Sequence, residues 1–171
     1  MLKPAQFYTD ELQHLFRKTW FDDKYLFYHN GCYYEEFLPE ESTVNDHQFV
    51  SVARCDVIGF IGYSVDRAAN VVFDLNIINF TDDKITFSKD VMQAIDDIFC
   101  KFNFNKIEFN VYIGNPAEKM YDKFINKCGG RIVGTYTKHC KLADGRLYDL
   151  KMYELFKDGY LRNRKDFLKL D

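Results

Sequence analysis

The strongest constraint on this chain's fold is a change of rhythm in its middle. Val71–Phe80 (VVFDLNIINF) is apolar at nearly every position, as in a strand inside a sheet rather than at its edge. Ser88–Phe102 then places Val91, Ile95, Ile98, Phe99 and Phe102 at helical spacing. Lys106–Ile113 alternates, with Ile107, Phe109, Val111 and Ile113 to one side and Glu108, Asn110 and Tyr112 to the other. A strand, a helix and a strand in this order make a crossover unit, in which the two strands lie parallel and the connection is right-handed.

The flanking sequence extends the unit. Gln48–Arg54 and Val57–Val65 read as strands joined by a bend at Arg54-Cys55-Asp56, and Asp66–Asn70 is a turn. Ser88 is the expected cap of the first central helix, with Phe87 stapling onto Met92. A second helix opens at Asn115-Pro116-Ala117-Glu118, where Asn115 suits the N-cap, Pro116 the first turn and Glu118 a capping box. Its apolar stripe is Ala117, Met120, Tyr121, Phe124, Ile125 and Cys128, and Gly129-Gly130 ends it. Arg131–Leu142 and Arg146–Phe156 form a hairpin through Asp144-Gly145. Residues 4–45 are expected to be a helical N-terminal segment. Leu12, Leu15, Phe16 and Thr19 define a helix capped by Thr9 or Asp10, Trp20–Tyr34 is a second helix or an extended stretch, Asn30-Gly31 is a turn, and Pro39–Asp46 is a surface loop. The charge-mixed tail Lys157–Asp171 reads as a solvated face. The fold class is α/β (α+β), one domain over residues 1–171, with a central mixed sheet flanked by helices.

Composition narrows the function. The apolar fraction is 47% and the charged fraction 29%, which excludes wholesale disorder. A formal charge of −3 argues against a general nucleic-acid binder. The five cysteines are scattered without a C-x-x-C pair, and the expectation is reduced, mostly buried thiols and no metal. The opening residues are too polar for a signal peptide, and no run is long enough to span a membrane. A cytoplasmic location is expected.

The order of elements, the strand Asp56-Val57-Ile58-Gly59-Phe60-Ile61-Gly62-Tyr63, Asn115 opening the second helix, Lys127-Cys128-Gly129-Gly130 closing it and Asp144-Gly145-Arg146-Leu147-Tyr148-Asp149 in the hairpin together resemble the GNAT superfamily of acyl-CoA-dependent N-acyltransferases. The look is nearest to the ribosomal-protein alanine acetyltransferase branch, where a Tyr lies in the last strand, here Tyr153. The resemblance covers about residues 48–160. It implies direct transfer of an acetyl group from acetyl-CoA to an amine, either a protein N-terminus or a small amine. It also implies that Val71–Phe80 and Lys106–Ile113 are parallel central strands that splay apart, with the pantetheine arm in the gap against the backbone of Leu75, Asn76 and Ile77. Asn115 falls at the cofactor side of the second helix in the same pattern.

The chemistry needs a base for the ammonium, a backbone N–H for the thioester carbonyl and an acid for the departing sulfur. Asp74 and Glu108 are the acids on the two splayed strands. Tyr121 is the candidate proton donor, one turn before the position where the family pattern places its Tyr, here Ile125. The family's glycine-rich pyrophosphate loop falls on Phe80-Thr81-Asp82-Asp83-Lys84-Ile85, which contains no glycine. Two aspartates stand where phosphates would sit, and like charges at ~4 Å cost about 4 kcal/mol at an effective dielectric near 20. Lys84 and Lys89 are the only cations from Val71 to Cys100 that can offset them. A second reading follows from this loop: a GNAT-shaped binding or assembly module without catalysis, of viral origin. Neither the acceptor nor the oligomeric state is legible.

Overall fold

The computed structural model describes residues 1–28, 36–40 and 44–167, the side chains of 165–167 excepted. Its centre is one seven-stranded sheet in the order β1-β2-β3-β4-β5-β7-β6. The strands are β1 (Leu2–Pro4), β2 (Asp46–Ala53), β3 (Asp56–Asp66), β4 (Val71–Asn79), β5 (Lys106–Tyr112), β6 (Arg131–Lys141) and β7 (Leu147–Phe156). The helices are α1 (Thr9–Thr19), α2 (Lys84–Asp96), α3 (Glu118–Cys128) and α4 (Lys157–Phe167), with 3₁₀ turns at Ala5–Tyr8 and Asp23–Tyr28. Every strand pair is antiparallel except β4 with β5, which is parallel. The crossover expected from the sequence is therefore present, and the chain has a mixed α/β fold of the GNAT type.

Apolar clusters divide the layers. Ile95, Phe99, Ile125, Cys128 and Tyr160 pack with Val72, Ile107, Phe109, Tyr153 and Leu155, so α2, α3 and α4 share one face of the sheet. Ala5, Leu12 and Tyr25 pack with Val50, Val52, Phe60 and Ile78, which puts the N-terminal helical segment on the other. Gly59 lets α2 come close, because a Cβ there would lie 2.2 Å from Cε2 of Phe87 and 2.8 Å from the Ile78 carbonyl. Gly129 ends α3 in the left-handed conformation, φ +73°, at the position the sequence marked.

Several expectations are corrected. The first central helix starts at Lys84, and its cap is Asp83 instead of Ser88. Ser88 is exposed inside the helix, and Phe87 is a core residue against Ile58, Ile61 and Ala94 in place of a staple. The helix ends in a π-helical turn at Asp97–Lys101. Neither Thr9 nor Asp10 caps α1, because the preceding 3₁₀ turn runs straight into it. β1 was not foreseen; its three residues carry no alternation to read. The tail is not merely a solvated face. It forms α4, and Tyr160 is fully buried against Phe99, with its hydroxyl donating to Asp96 at 3.2 Å. Of the described cysteines only Cys128 is buried; Cys55 and Cys100 are exposed and Cys140 is half-buried. The Asn30-Gly31 turn lies outside the described residues.

Candidate functional site

The site begins where the sheet divides. β4 and β5 pair only at Val71 with Lys106 and Val72 with Ile107. Beyond that point both strands continue, but each keeps only its outer neighbour: β4 stays paired with β3 as far as Asn79, and β5 with β7 as far as Tyr112. The result is a V-shaped gap bordered by backbone. A bulge helps to open it. Ser64 pairs with Phe73 but Gly62 with Asn76, so β4 carries one extra residue opposite Tyr63. Asp74 sits in that bulge with φ +56°, a left-handed conformation that Asp tolerates better than most residues. The side chain of Asn76 donates to the Asp74 carbonyl at 2.9 Å. Phe73, beside the bulge, is exposed despite its interior strand.

The candidate residues lie on different sides of this gap. Tyr121 is half-buried on α3, its ring edge-on to Phe109 at 5.5 Å and to Tyr153 at 6.5 Å. Burial pushes its hydroxyl well above the ordinary tyrosine value, and the nearby Tyr28 adds to the shift. Tyr121 is thus a protonated group at neutral pH. Asp74 is exposed on β4 at the rim. Glu108 alternates away from Phe109 and so faces the opposite side of the sheet from Tyr121. There it pairs with Lys106, which also reaches Glu154 at 3.8 Å. Leu75 and Ile77 are half-buried and Asn76 is exposed along the splayed part of β4, while Lys84 and Lys89 are exposed on α2. The side-chain oxygen of Asn115 accepts from the N–H of Ala117 at 2.9 Å, and the helix itself starts at Glu118. Asn115 therefore shapes the turn before α3 instead of serving as its last non-helical residue.

A polar cluster beneath Tyr121 escaped the sequence reading. The Tyr153 hydroxyl donates to Asp122 at 2.7 Å, Lys151 donates to Asp122 at 3.2 Å and to Glu118, and Glu118 accepts from the N–H of Gly114 at 3.1 Å. Burial, then the bond to Asp122, raises the Tyr153 hydroxyl. The bond to Lys151 holds Glu118 below the ordinary carboxylate range, and the same bond raises Lys151. The available signal was the i, i+4 spacing of Glu118 and Asp122 on one face of α3; Lys151, on a different strand, gave none.

The 3₁₀ turn Asp23–Tyr28 reaches this region from the other face. Phe27 packs edge-on against Tyr148 at 5.4 Å, and a Cβ on Gly114 would lie 3.8 Å from it. Beside it, a cleft between this turn and the β6–β7 hairpin is lined by Asp22, Asp23, Leu26 and Asp144.

The corner from β4 into α2 is closed on itself. Asn79 Oδ1 accepts from the N–H of Thr81 at 2.9 Å, Thr81 Oγ1 from that of Asp83 at 3.2 Å, and the Asp82 carbonyl from that of Lys84 at 2.9 Å. The Asp83 carboxylate takes the N–H of Thr86 at 2.9 Å, and that bond holds its pKa below the ordinary aspartate value. For acetyl-CoA the two parts of the site disagree. The V-shaped gap suits an extended arm bonded to backbone, whereas the donors that would hold a pyrophosphate already have partners. Among the described residues no group of three His, Cys, Asp or Glu side chains could hold a metal ion, and no helix is long and apolar enough to cross a membrane.

No family model and no curated protein matches the chain. Solved structures do. Mutant forms of the spermidine/spermine N-acetyltransferase SpeG from Vibrio cholerae align over 96% of this chain and 97% of their own, with a TM-score of 0.71 at 18% identity. The spermidine N-acetyltransferase from Vibrio cholerae in complex with CoA and spermine gives a TM-score of 0.71 at 18% identity, over 94% of this chain and 97% of its own. This likeness establishes the fold, and the structures named are polyamine acetyltransferases, not members of the ribosomal-protein alanine acetyltransferase branch. The hairpin motif that suggested that branch carries ordinary turn chemistry: Asp144 accepts from the N–H of Arg146 at 3.0 Å and from the Tyr148 hydroxyl at 2.6 Å.

Proposed function

We propose that this protein is an N-acetyltransferase that moves an acetyl group from acetyl-CoA to an amine. The observation that carries the reading is the split between β4 and β5 after only two paired residues, with a bulge on β4 at its mouth. Parallel neighbours in a sheet interior do not give up their ladder without a ligand or solvent to satisfy it. The polyamine acetyltransferases of the same fold bind CoA. Bound in the gap, the donor supplies an activated acyl carbon; the rest is done by this chain. Asp74 at the rim, or Glu108 across the sheet, takes a proton from the incoming ammonium. A backbone N–H of β4 near Leu75, Asn76 or Ile77 polarises the carbonyl oxygen. As the N–C bond forms and the C–S bond breaks, Tyr121 gives its proton to sulfur, and one of the two N–H protons left on nitrogen leaves to restore Tyr121, the other staying on the amide. The balance is one ammonium and one thioester giving one amide, one thiol and one proton.

The acceptor we favour is a small cationic amine of the polyamine class. The fold relatives acetylate spermidine, and three carboxylates line the cleft beside the 23–28 turn. The test is release of free thiol from acetyl-CoA with spermidine, spermine or an N-terminal peptide as acceptor. Turnover with a polyamine above the peptide supports the reading. A second reading, a non-catalytic binding module, is favoured by the self-closed corner at Asp83, and absence of both turnover and binding with any thioester would select it.

A further inference from the structure

The corner between β4 and α2 carries more than a departure from a loop pattern. Anions are held at a helix N-terminus by N–H groups without an intrahelical partner, with the helix dipole behind them. In α2 most of those groups are spent. Thr81, Asp83, Lys84 and Thr86 each donate to an acceptor within residues 79–83, and the acceptor at the helix end is itself an anion, the Asp83 carboxylate. A phosphate arriving there meets a filled site of its own sign. Asp82 beside it is almost fully exposed and pairs with Lys24 at 3.5 Å. With no glycine from 79 to 86, side chains also keep a ligand away from the backbone. In the gap between β4 and β5, by contrast, the two strands share no ladder pairing beyond Val72 and Ile107.

From this we infer that the acyl donor is recognised through its pantetheine thioester arm alone, and that the nucleotide diphosphate half of CoA adds little to binding or turnover. The donor class is therefore any acyl-pantetheine thioester, whether its distal end carries a nucleotide or not. This rests on the proposed acyl transfer and leaves its chemistry unchanged: the same C–S bond breaks and the same N–C bond forms. The structural basis is that Asp83 occupies, from within the chain, the position that a phosphate takes at an open helix N-terminus.

The experiment compares acetyl-CoA with S-acetyl-pantetheine as donors to one polyamine acceptor, at low and high salt. The expected kcat/KM values agree within about threefold, and salt does not separate them, because no phosphate contact exists to be screened. A preference for acetyl-CoA of thirtyfold or more overturns the inference while leaving the acetyltransferase reading intact. So does a tenfold loss with acetyl-CoA, and none with acetyl-pantetheine, in Lys84→Ala or Lys89→Ala, since point charges would then hold the phosphates. Failure of both thioesters to react or bind overturns the inference and the acetyltransferase reading together. Asp83→Gly is the positive control: removing the carboxylate and freeing the N–H group of Thr86 is expected to raise the preference for acetyl-CoA at least tenfold. An unchanged ratio in a folded Asp83→Gly protein would overturn the assignment of Asp83 as the excluding group.

Discussion

Two corners lead from the split strands into helices, one from β4 into α2 and one from β5 into α3. Both lie at the same end of the sheet, and both satisfy their own backbone. The first does so with short side chains of its own segment, Asn79, Thr81 and Asp83, and faces water. The second hands its charge inward: Glu118 takes the Gly114 N–H and also Lys151 of β7, and Asp122 one turn later takes Tyr153. One corner is a lid over its own donors. The other is tied to a half-buried proton-bearing cluster under Tyr121. The chemistry we propose draws on the second corner, the one coupled to the core.

The contrast breaks most readily at Tyr121. Tyr121→Phe keeps the ring against Phe109 but removes the hydroxyl, and kcat is expected to fall about a hundredfold with the donor KM within threefold. Steady-state kinetics checks this; an unchanged kcat makes Tyr121 a core ring and nothing more. Asp122→Ala comes next. It strands the Tyr153 hydroxyl and removes one of the two carboxylates to which Lys151 donates, and is expected to cost about 2 kcal/mol in urea denaturation. Asn115→Ala removes the acceptor of the Ala117 N–H and is expected to cost about 1 kcal/mol in the same measurement.

The smallest effect is in acid. Asp83 and Glu118 both have folded pKa values below their ordinary ones. Each therefore stabilises the fold above its unfolded value, near pH 4, and the stabilisation is lost as the pH falls through the lower folded value. Thermal melts from pH 7 to pH 2 are expected to show a shallower acid limb in Asp83→Asn and in Glu118→Gln than in the parent. The Asn variant keeps its capping oxygen, so its neutral-pH melting point stays near that of the parent; a large drop there would mean that charge, not the cap, holds the first corner.

How much of this was readable before the structure differs by element. The crossover from Val71 to Ile113 was, because burial forces a period of two on a strand and 3.6 on a helix. The end of α3 at Gly129 was, because a left-handed residue there favours glycine. The start of α2 was misread: Ser88 and Asp83 are both good caps, and the choice fell to Asn79 and Thr81, which fold the chain back at 81–83. The tail was misread as well, since Tyr160 finds Phe99 across a gap in sequence that no local pattern spans.

Strands β2 to β7, the two central helices and the absence of glycine from the loop at 80–85 are legible in the chain alone, because each is a local property of side-chain spacing or backbone freedom. It took the packed fold to part β4 and β5 after two residue pairs, to set Glu108 and Tyr121 on opposite faces and to bring Lys151 to Glu118 and Asp122. Those facts depend on how distant segments share one sheet, and pairing between segments is set by the packing of the whole core, not by the period of any one of them.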